Sequence, residues 1–301
     1  MEQSFVAWAK IRSLRLPQVK LGIGDDAAIL APSDLDLVVT TDSMMDGTHF
    51  RVGECDLRSI GEKLVGVNLS DLAAMGAEPN SILLSMCLPS RNSEELAAEI
   101  YEGVCTAAAR YEVALAGGDT NCWSGPLVLH MTAIGFCQPE QAWLRSGAKP
   151  NDLIVVTGEL GGSIQGKHLK FQPRLDVVRK LRGRLNVHAA MDISDGLSID
   201  LLRMCDASRC GAVLDLENIP VSLAATELSK SSGLSALDHA LGDGEDFELL
   251  LAVSVEDLNC LTSLLGKESV RVVGEFTSRT GLWARRGGQL TQLPATGYIH
   301  R

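Results

Sequence analysis

Val67-Asn68-Leu69-Ser70-Asp71-Leu72-Ala73-Ala74-Met75-Gly76 sets one carboxylate in the middle of an apolar, small-residue run. Read with the preceding Leu57 to Gly66, the run has helical spacing, with Ile60, Leu64, Val67 and Leu72 along one side. Asn68 and Asp71 fall one turn apart on a shared face. A bare Asp among Leu, Ala and Met is costly unless something compensates its charge, and no Lys or Arg lies within a turn on that face. Lys63 is two turns away. Either Ser70 and Asp71 cap a fresh helix, or Asp71 is a metal ligand on a buried one, and the rest of the chain must decide.

The 301 residues are 46% hydrophobic, enough to bury a sizeable core, and the length suggests two domains. Aromatics make up only 4% while glycines number 29, which predicts tight turns and close backbone approaches. A net charge of -11 argues against a nucleic-acid partner, although acids can face an anionic ligand when metal cations lie between. The eight cysteines are scattered, with no C-x-x-C pair. Met1 to Arg15 lacks the uninterrupted apolar stretch of a signal peptide, and no apolar run is long enough to span a membrane. A reduced, cytoplasmic, globular enzyme is the expectation.

Phe5 to Leu14 reads as a short amphipathic helix ended by Pro17. Leu21 to Leu30 carries Gly22-Ile23-Gly24-Asp25-Asp26, a glycine turn that delivers two acids into an apolar strand. Leu35 to Ser43 is a strand by its β-branched content, ending in Thr40, Thr41, Asp42 and Ser43, with Asp46 to Phe50 as a loop. Pro79 marks a break, Ser81 to Leu88 a buried strand, and Glu94 to Tyr111 a helix. Strand Val113 to Ala116, the turn Gly117-Gly118-Asp119-Thr120 and strand Leu127 to Phe136 follow. This order fits a compact α/β domain with a mixed sheet. Polar turn formers between Gln138 and Pro150 place a domain boundary. Beyond it, strands are expected at Leu153 to Gly158, from Ala189 toward Asp192, and at Val213 to Leu216, Phe247 to Val253, Val270 to Val273 and Gly281 to Ala284. Helices are expected at Asp176 to Leu185 and from Leu197 to about Ser208.

Strand ends and turns thus deliver Asp25 and Asp26, Asp42, Asp71, Asp119, and the pair Asp192 and Asp195. Each is flanked by apolar sequence on one side and by Gly, Ser or Thr on the other, with no adjacent basic residue. Any one of them reads equally well as a turn or cap residue. Together, with Thr40, Thr41 and Ser194 beside them, they offer the hard oxygen ligands that suit Mg²⁺, an ion normally shared with substrate phosphates.

Gly161 to Lys167 matches G-x-x-x-x-G-K, yet His168 stands where a P-loop requires Ser or Thr, so a strand-to-helix turn is the better reading. Gly242 to Leu249 carries four acids, read either as an acidic hairpin or as a binding wall for a cationic substrate. His49 is either a plain loop residue or a phosphate donor. The histidines show no zinc spacing, and no nucleophile motif stands out.

Gly22 to Asp26, Thr40 to Asp42, Val67 to Ala77, Gly117 to Thr120, Arg145 to Pro150, Met191 to Leu197 and Gly244 to Leu249, in this order across nearly the whole chain, resemble the thiamine-monophosphate kinase family. That family belongs to the superfamily of aminoimidazole ribonucleotide synthetase and selenophosphate synthetase. The resemblance implies an α/β (α+β) chain of two domains. Residues 1–138 would form an N-terminal mixed-sheet, ferredoxin-like domain that dimerises through its sheet, and residues 139–301 a C-terminal α/β domain, with the active site in the cleft between them. It implies ATP-dependent phosphorylation of thiamine monophosphate by a homodimer using several Mg²⁺ ions, with room for a monovalent cation. By motif, Asp26, Thr40, Thr41, Asp42, Asp71, Asp119, Asp192 and Asp195 would form the metal shell, with Asp42, Asp71, Asp119 and Asp195 catalytic. Gly118, Asp119, Arg145 and Ser194 would touch ATP, and His49, Glu245 and Tyr298 would hold thiamine monophosphate. Three departures from the family pattern stand out: Asp243, Phe247 in place of Tyr, and a shortened Gly162 to His168 segment that leaves the role of Arg174 open.

The chemistry implied asks for no base, because a phosphate monoester with a second pKa near ~6 is already largely anionic at neutral pH. Repulsion between two phosphates is what must be overcome. A selenophosphate synthetase should carry a reactive Cys near its N-terminus, whereas the first here is Cys55. The hydrogenase maturation relative should end in Cys, not in Tyr298-Ile299-His300-Arg301. The purine synthetase should not combine the Asn-Leu-Ser-Asp and Asp-Ile-Ser-Asp-Gly motifs. A non-catalytic nucleotide or metal sensor is the alternative from another class.

Overall fold

The computed structural model describes residues 19–21, 25, 28–30, 34–91 and 93–299. The helix expected over Phe5 to Leu14, and Asp26, lie outside them. In chain order the first half contains β1 (Val19–Leu21), β2 (Ala28–Leu30), β3 (Asp36–Met45), α1 (Leu57–Ala74), β4 (Glu78–Pro89), α2 (Ser93–Arg110), β5 (Ala114–Trp123) and β6 (Val128–Cys137). Its strands form one mixed sheet in the order β1-β2-β3-β6-β4-β5. β3 and β4 both run antiparallel to β6, which lies between them, so α1 crosses over in a split β-α-β arrangement.

The decisive stretch is one uninterrupted helix. Its N-cap is Asp56, whose carboxylate accepts from Ser59 N, so Ser70 and Asp71 cap nothing and that reading fails. At its other end Gly76, at φ 67°, donates to Ala73 O at 2.9 Å while Ala77 donates to Leu72 O at 2.9 Å, the paired bonds of a Schellman stop. A Cβ at Gly76 would also fall 2.9 Å from the Trp143 ring. Nearly every side chain of α1 is buried, including Lys63 and Asn68, as suits a helix enclosed on all sides.

The second half contains β7 (Leu153–Val156), α3 (Lys167–Lys170), α4 (Leu175–Leu181), β8 (Val187–Asp192), α5 (Leu197–Ser208), β9 (Gly211–Asp215), α6 (Leu223–Ser232), α7 (Ala236–Gly242), β10 (Leu249–Val253), α8 (Leu258–Leu265), β11 (Arg271–Thr277), β12 (Gly281–Arg286) and β13 (Gln289–Gln292). Its sheet runs β13-β12-β9-β11-β7-β10-β8 and is antiparallel except where β9 meets β12. One apolar core extends from the first sheet through α1 to β10 and α4, and a second lies on the far side of the second sheet under α5. Helix α1 therefore packs on β3 and β6 with one side and on α4 and β8 with the other.

Two sequence expectations are corrected. Pro79 interrupts nothing: it lies in β4 at a register shift against β6, before β5 pairing begins at Ser81, so its missing N–H leaves no ladder bond unmade. Gly117 to Thr120 is not a turn but part of β5, which runs on to Trp123 parallel to β4. Gly118 permits this, since a Cβ there would fall 1.8 Å from Leu84 O. Helices α6, α7 and α8 and strand β13 escaped the sequence reading. Strand β13 is exposed at every position, and α6 buries only Ala225, so neither carries an apolar period.

Candidate active site

Two adjacent residues of α1 reach two acids from separate parts of the chain. Asp71 accepts from Thr40 Oγ1 at 2.5 Å, which ties the helix to β3. Ser70 Oγ donates to Asp192 Oδ2 at 2.6 Å, which ties it to the end of β8. Asp42 lies two residues beyond Thr40 on the same, inward face of β3. Thr40, Asp71 and Asp192 are thus tied to one stretch of the central helix, and Asp42 shares the face of β3 that carries Thr40. Thr41 alternates to the opposite face, where its hydroxyl donates to Met131 O at 2.9 Å and accepts from Thr132 at 3.2 Å.

The turn after Asp192 is held by a residue that sequence reasoning missed. Asp200, in the first turn of α5, accepts from the N–H groups of Ser194, Asp195 and Gly196 at 3.1, 2.9 and 3.2 Å. Burial pushes its carboxyl up to about 7, with the Asp195 charge adding to the rise against the pull of Arg203. Arg203 bonds both Asp200, at 2.7 Å, and Asp195. Asp195 therefore has a cationic partner, contrary to the reading that these acids lack one; the periodicity of α5 brings Arg203 back over the turn. Glu245 N donates to Ser194 O at 2.7 Å and Tyr298 N to Asp195 O at 2.9 Å, so Ser194, Asp195, Glu245 and Tyr298 are brought together through their main chains. Gly244 and Gly297 allow it, since a Cβ at either would meet these backbone atoms at 2.8 and 2.6 Å.

Glu245 takes a left-handed backbone at φ 53°. Its carboxylate accepts from Lys63 of α1 at 2.6 Å, and the same ammonium donates to His49 O at 3.0 Å. His49 Nδ1 in turn accepts from Met45 N at 3.1 Å. The three segments meet at one buried cation that sequence reasoning passed over because Lys63 stood two turns from Asp71.

Arg145 joins the site through its main chain. Its N–H donates to Asp25 at 3.2 Å, its Nε lies 3.8 Å from the same carboxylate, and neighbouring Leu144 O accepts from Ala190 of β8 at 2.8 Å. Asp25, too, has a basic partner. Gly118 and Asp119 are not brought to this edge: β6 and β4 separate β5 from β3, roughly 14 Å at ordinary strand spacing, and Asp119 accepts from Asn121 at 2.7 Å in an exposed position. Among the described residues no three His, Cys, Asp or Glu side chains close on one point as a protein-only metal cage would.

The Gly161 to Lys167 turn and three of the four acids between Gly242 and Leu249 are tied to one another and to neighbouring cations. The amide of Gly161 donates to Asp246 at 2.9 and 3.0 Å and that of Gly162 to Asp243 at 2.7 Å, so carboxylates occupy the donors a P-loop would turn to phosphate. Burial pushes Asp246 up to about 7. Glu248 is clamped by Thr157 at 2.9 Å, Lys167 at 3.0 Å and both arms of Arg174 at 2.5 and 2.6 Å, which gives Arg174 its role. Only Glu245 of the proposed acidic wall lies toward α1; the other three acids bind the protein's own loop. Phe247 stacks on Phe171 at 4.0 Å, and Phe171 lies over Gly66 of α1.

Two protein-family descriptions cover most of the chain: AIR synthase related protein, N-terminal domain, at residues 24–137, and AIR synthase related protein, C-terminal domain, at residues 143–284. The chain is 46% identical to the thiamine-monophosphate kinase of Rhodopirellula baltica over 100% of its own length and 97% of that protein. The crystal structure of thiamine-monophosphate kinase from Stenotrophomonas maltophilia is 33% identical, with a TM-score of 0.75 over 93% of this chain and 94% of that one. AaThiL complexed with AMPPCP and TMP has the same fold, with a TM-score of 0.85 at 24% identity over 99% and 96% of the two chains. Gathered acids at a helix between two mixed sheets, and a relative this similar from end to end, mean that the chain belongs to the thiamine-monophosphate kinase family.

Proposed function

We propose that this chain transfers the γ-phosphoryl group of ATP to the phosphate of thiamine monophosphate, giving thiamine diphosphate and ADP. The observation that carries the reading is the end-to-end, 46% identity with the thiamine-monophosphate kinase of Rhodopirellula baltica. The geometry supports it: Asp71 and Asp192, tied to adjacent positions of α1, and Asp42 on the Thr40 face of β3 offer hard, anionic oxygens, a donor set that fits Mg²⁺ shared with phosphates rather than a protein-only cage. With Asp26, Thr40 and Asp195 they would hold the ions, with or without a monovalent cation, whereas Thr41, turned to the opposite face of β3, and Asp119, three strands away on β5, do not join this group. When bound, the metal supplies positive charge that offsets phosphate–phosphate repulsion.

The protein's own residues orient and exclude. Asp200 and Arg203 fix the Ser194–Gly196 turn, so that Ser194 and Asp195 face the nucleotide in one arrangement. Arg145, with Gly118 and Asp119, would contact ATP, and Arg145 brings a fixed guanidinium beside anionic groups. His49, Glu245 and Tyr298 would hold thiamine monophosphate, the carboxylate and the phenol ring suiting the cationic thiazolium. No base is needed, because the acceptor oxygen is already anionic. The terminal P–O bond of ATP breaks as the new P–O–P linkage forms, without a phosphoenzyme.

The division into a nucleotide-binding first domain, residues 1–138, and a second, residues 139–301, belongs to this proposal, as does a homodimer formed through the first sheet. The sheet face turned from α1 exposes Met45, Leu83 and Trp123, an apolar surface suited to a second copy. No described helix is long and apolar enough to cross a membrane, and we place the enzyme in the cytoplasm. Measuring ADP release with and without thiamine monophosphate tests the activity. Release that is indifferent to thiamine monophosphate would refute it, and a kinetically competent labelled protein in a rapid-quench experiment would refute direct transfer.

A further inference from the structure

Lys63 is 99% buried by its side chain, on a helix enclosed by both halves of the molecule, yet its ammonium carries a full set of consequences for the cleft. It donates to Glu245 Oε1 at 2.6 Å and to the main-chain oxygen of His49 at 3.0 Å. A buried ammonium cannot release its counter-ion without leaving an uncompensated charge, so the restraint on Glu245 persists. The Glu245 side chain is 31% exposed and has no other hydrogen-bond partner among the described residues, so one carboxylate oxygen is clamped and the other is available to a ligand.

We infer that Lys63 is a positioning residue for the acceptor substrate: it holds His49 and Glu245, which come from the two halves of the chain, in a fixed relation before the cationic ring arrives. The inference rests on the proposed function, which assigns both residues to thiamine monophosphate. Ser70 follows Lys63 by seven residues on the same side of α1 and holds Asp192. Two helical turns, roughly 10 Å, therefore separate the ring-binding end of the cleft from its metal-binding end. A site organised in advance loses less freedom on binding, and that advantage belongs to thiamine monophosphate and not to ATP.

The test is steady-state kinetics of the full chain. Wild-type protein is first assayed for phosphorylation of thiamine monophosphate; no turnover would end the proposed function itself. Given turnover, Lys63→Met is expected to raise KM for thiamine monophosphate by about tenfold or more while KM for ATP stays within about twofold, and Lys63→Arg, which keeps the charge, is expected to recover part of the loss. Equal KM values for wild type and Lys63→Met would overturn the inference, as would a parallel rise in both KM values. If Lys63→Met does not fold, Lys63→Arg carries the test: a selective rise in KM for thiamine monophosphate supports the inference, and wild-type values for both substrates overturn it.

Discussion

The hydroxyl of Ser70 donates to Oδ2 of Asp192 at 2.6 Å, with both groups buried, so a single bond fastens the central helix of the first half to the last residue of β8 in the second. Hydrogen bonds to charged groups contribute about 1.5–3 kcal/mol. Ser70→Ala should lower unfolding free energy by about that much, read from the midpoint of a denaturant titration at unchanged slope. An unshifted midpoint would show that the bond contributes nothing net to the junction.

Asp71→Asn removes one charge at constant shape, and the amide oxygen can still accept from Thr40. The variant should fold with a wild-type circular dichroism spectrum and lose about 10²-fold or more in kcat, the scale seen when an electrostatic partner of a transition state is deleted. Turnover within a factor of about two of wild type would remove Asp71 from the chemistry.

Glu248 is buried against Thr157, Lys167 and Arg174. Burial alone would raise its carboxyl, but the Arg174 bonds and the charges of Lys167 and Arg174 outweigh it and hold the group below its ordinary range. Glu248→Gln leaves Arg174 without its counter-charge and Lys167 with Asp246 alone at 3.7 Å, and should cost about 3 kcal/mol, the lower end for a broken buried pair because both cations are partly exposed. Thermal unfolding would register the loss, and an unchanged Tm would contradict the clamp.

Asp246 is buried and pushed up to about 7 from 3.8, so the folded protein holds a proton that the unfolded chain has released between those values. With more protons bound in the folded state, stability falls as pH rises across that window, by up to about 1.4 kcal/mol per unit. Unfolding free energy should therefore decline from pH 5 to pH 7, and Asp246→Asn should reduce the slope, leaving the part that Asp200, pushed up to the same range, supplies. A variant with the wild-type slope would assign the effect elsewhere.

The split between what could be read and what could not follows from range. The central helix, most strands and the run of acids announce themselves through local period and composition, because burial on one element repeats every two or three to four residues. Pro79 and Gly118 misled because whether they break or continue a strand depends on their partner strands, β6 for Pro79 and β4 for Gly118, which lie far along the chain. The acids of Gly242 to Leu249 look alike in sequence, yet Asp243, Asp246 and Glu248 bind the protein's own loop while Glu245 meets Lys63.

Sequence alone determined that Asp71 sits in an apolar run of helical spacing and that acids recur beside Gly, Ser and Thr along the chain, since both are properties of neighbouring residues. Only the tertiary structure decided that Ser70 and Lys63 of that helix reach Asp192 and Glu245, and that Asp200 and Arg203 hold the intervening turn. Hydrogen bonds act over about 3 Å whatever the distance along the chain, so which donor meets which acid is settled by packing and has no local signature.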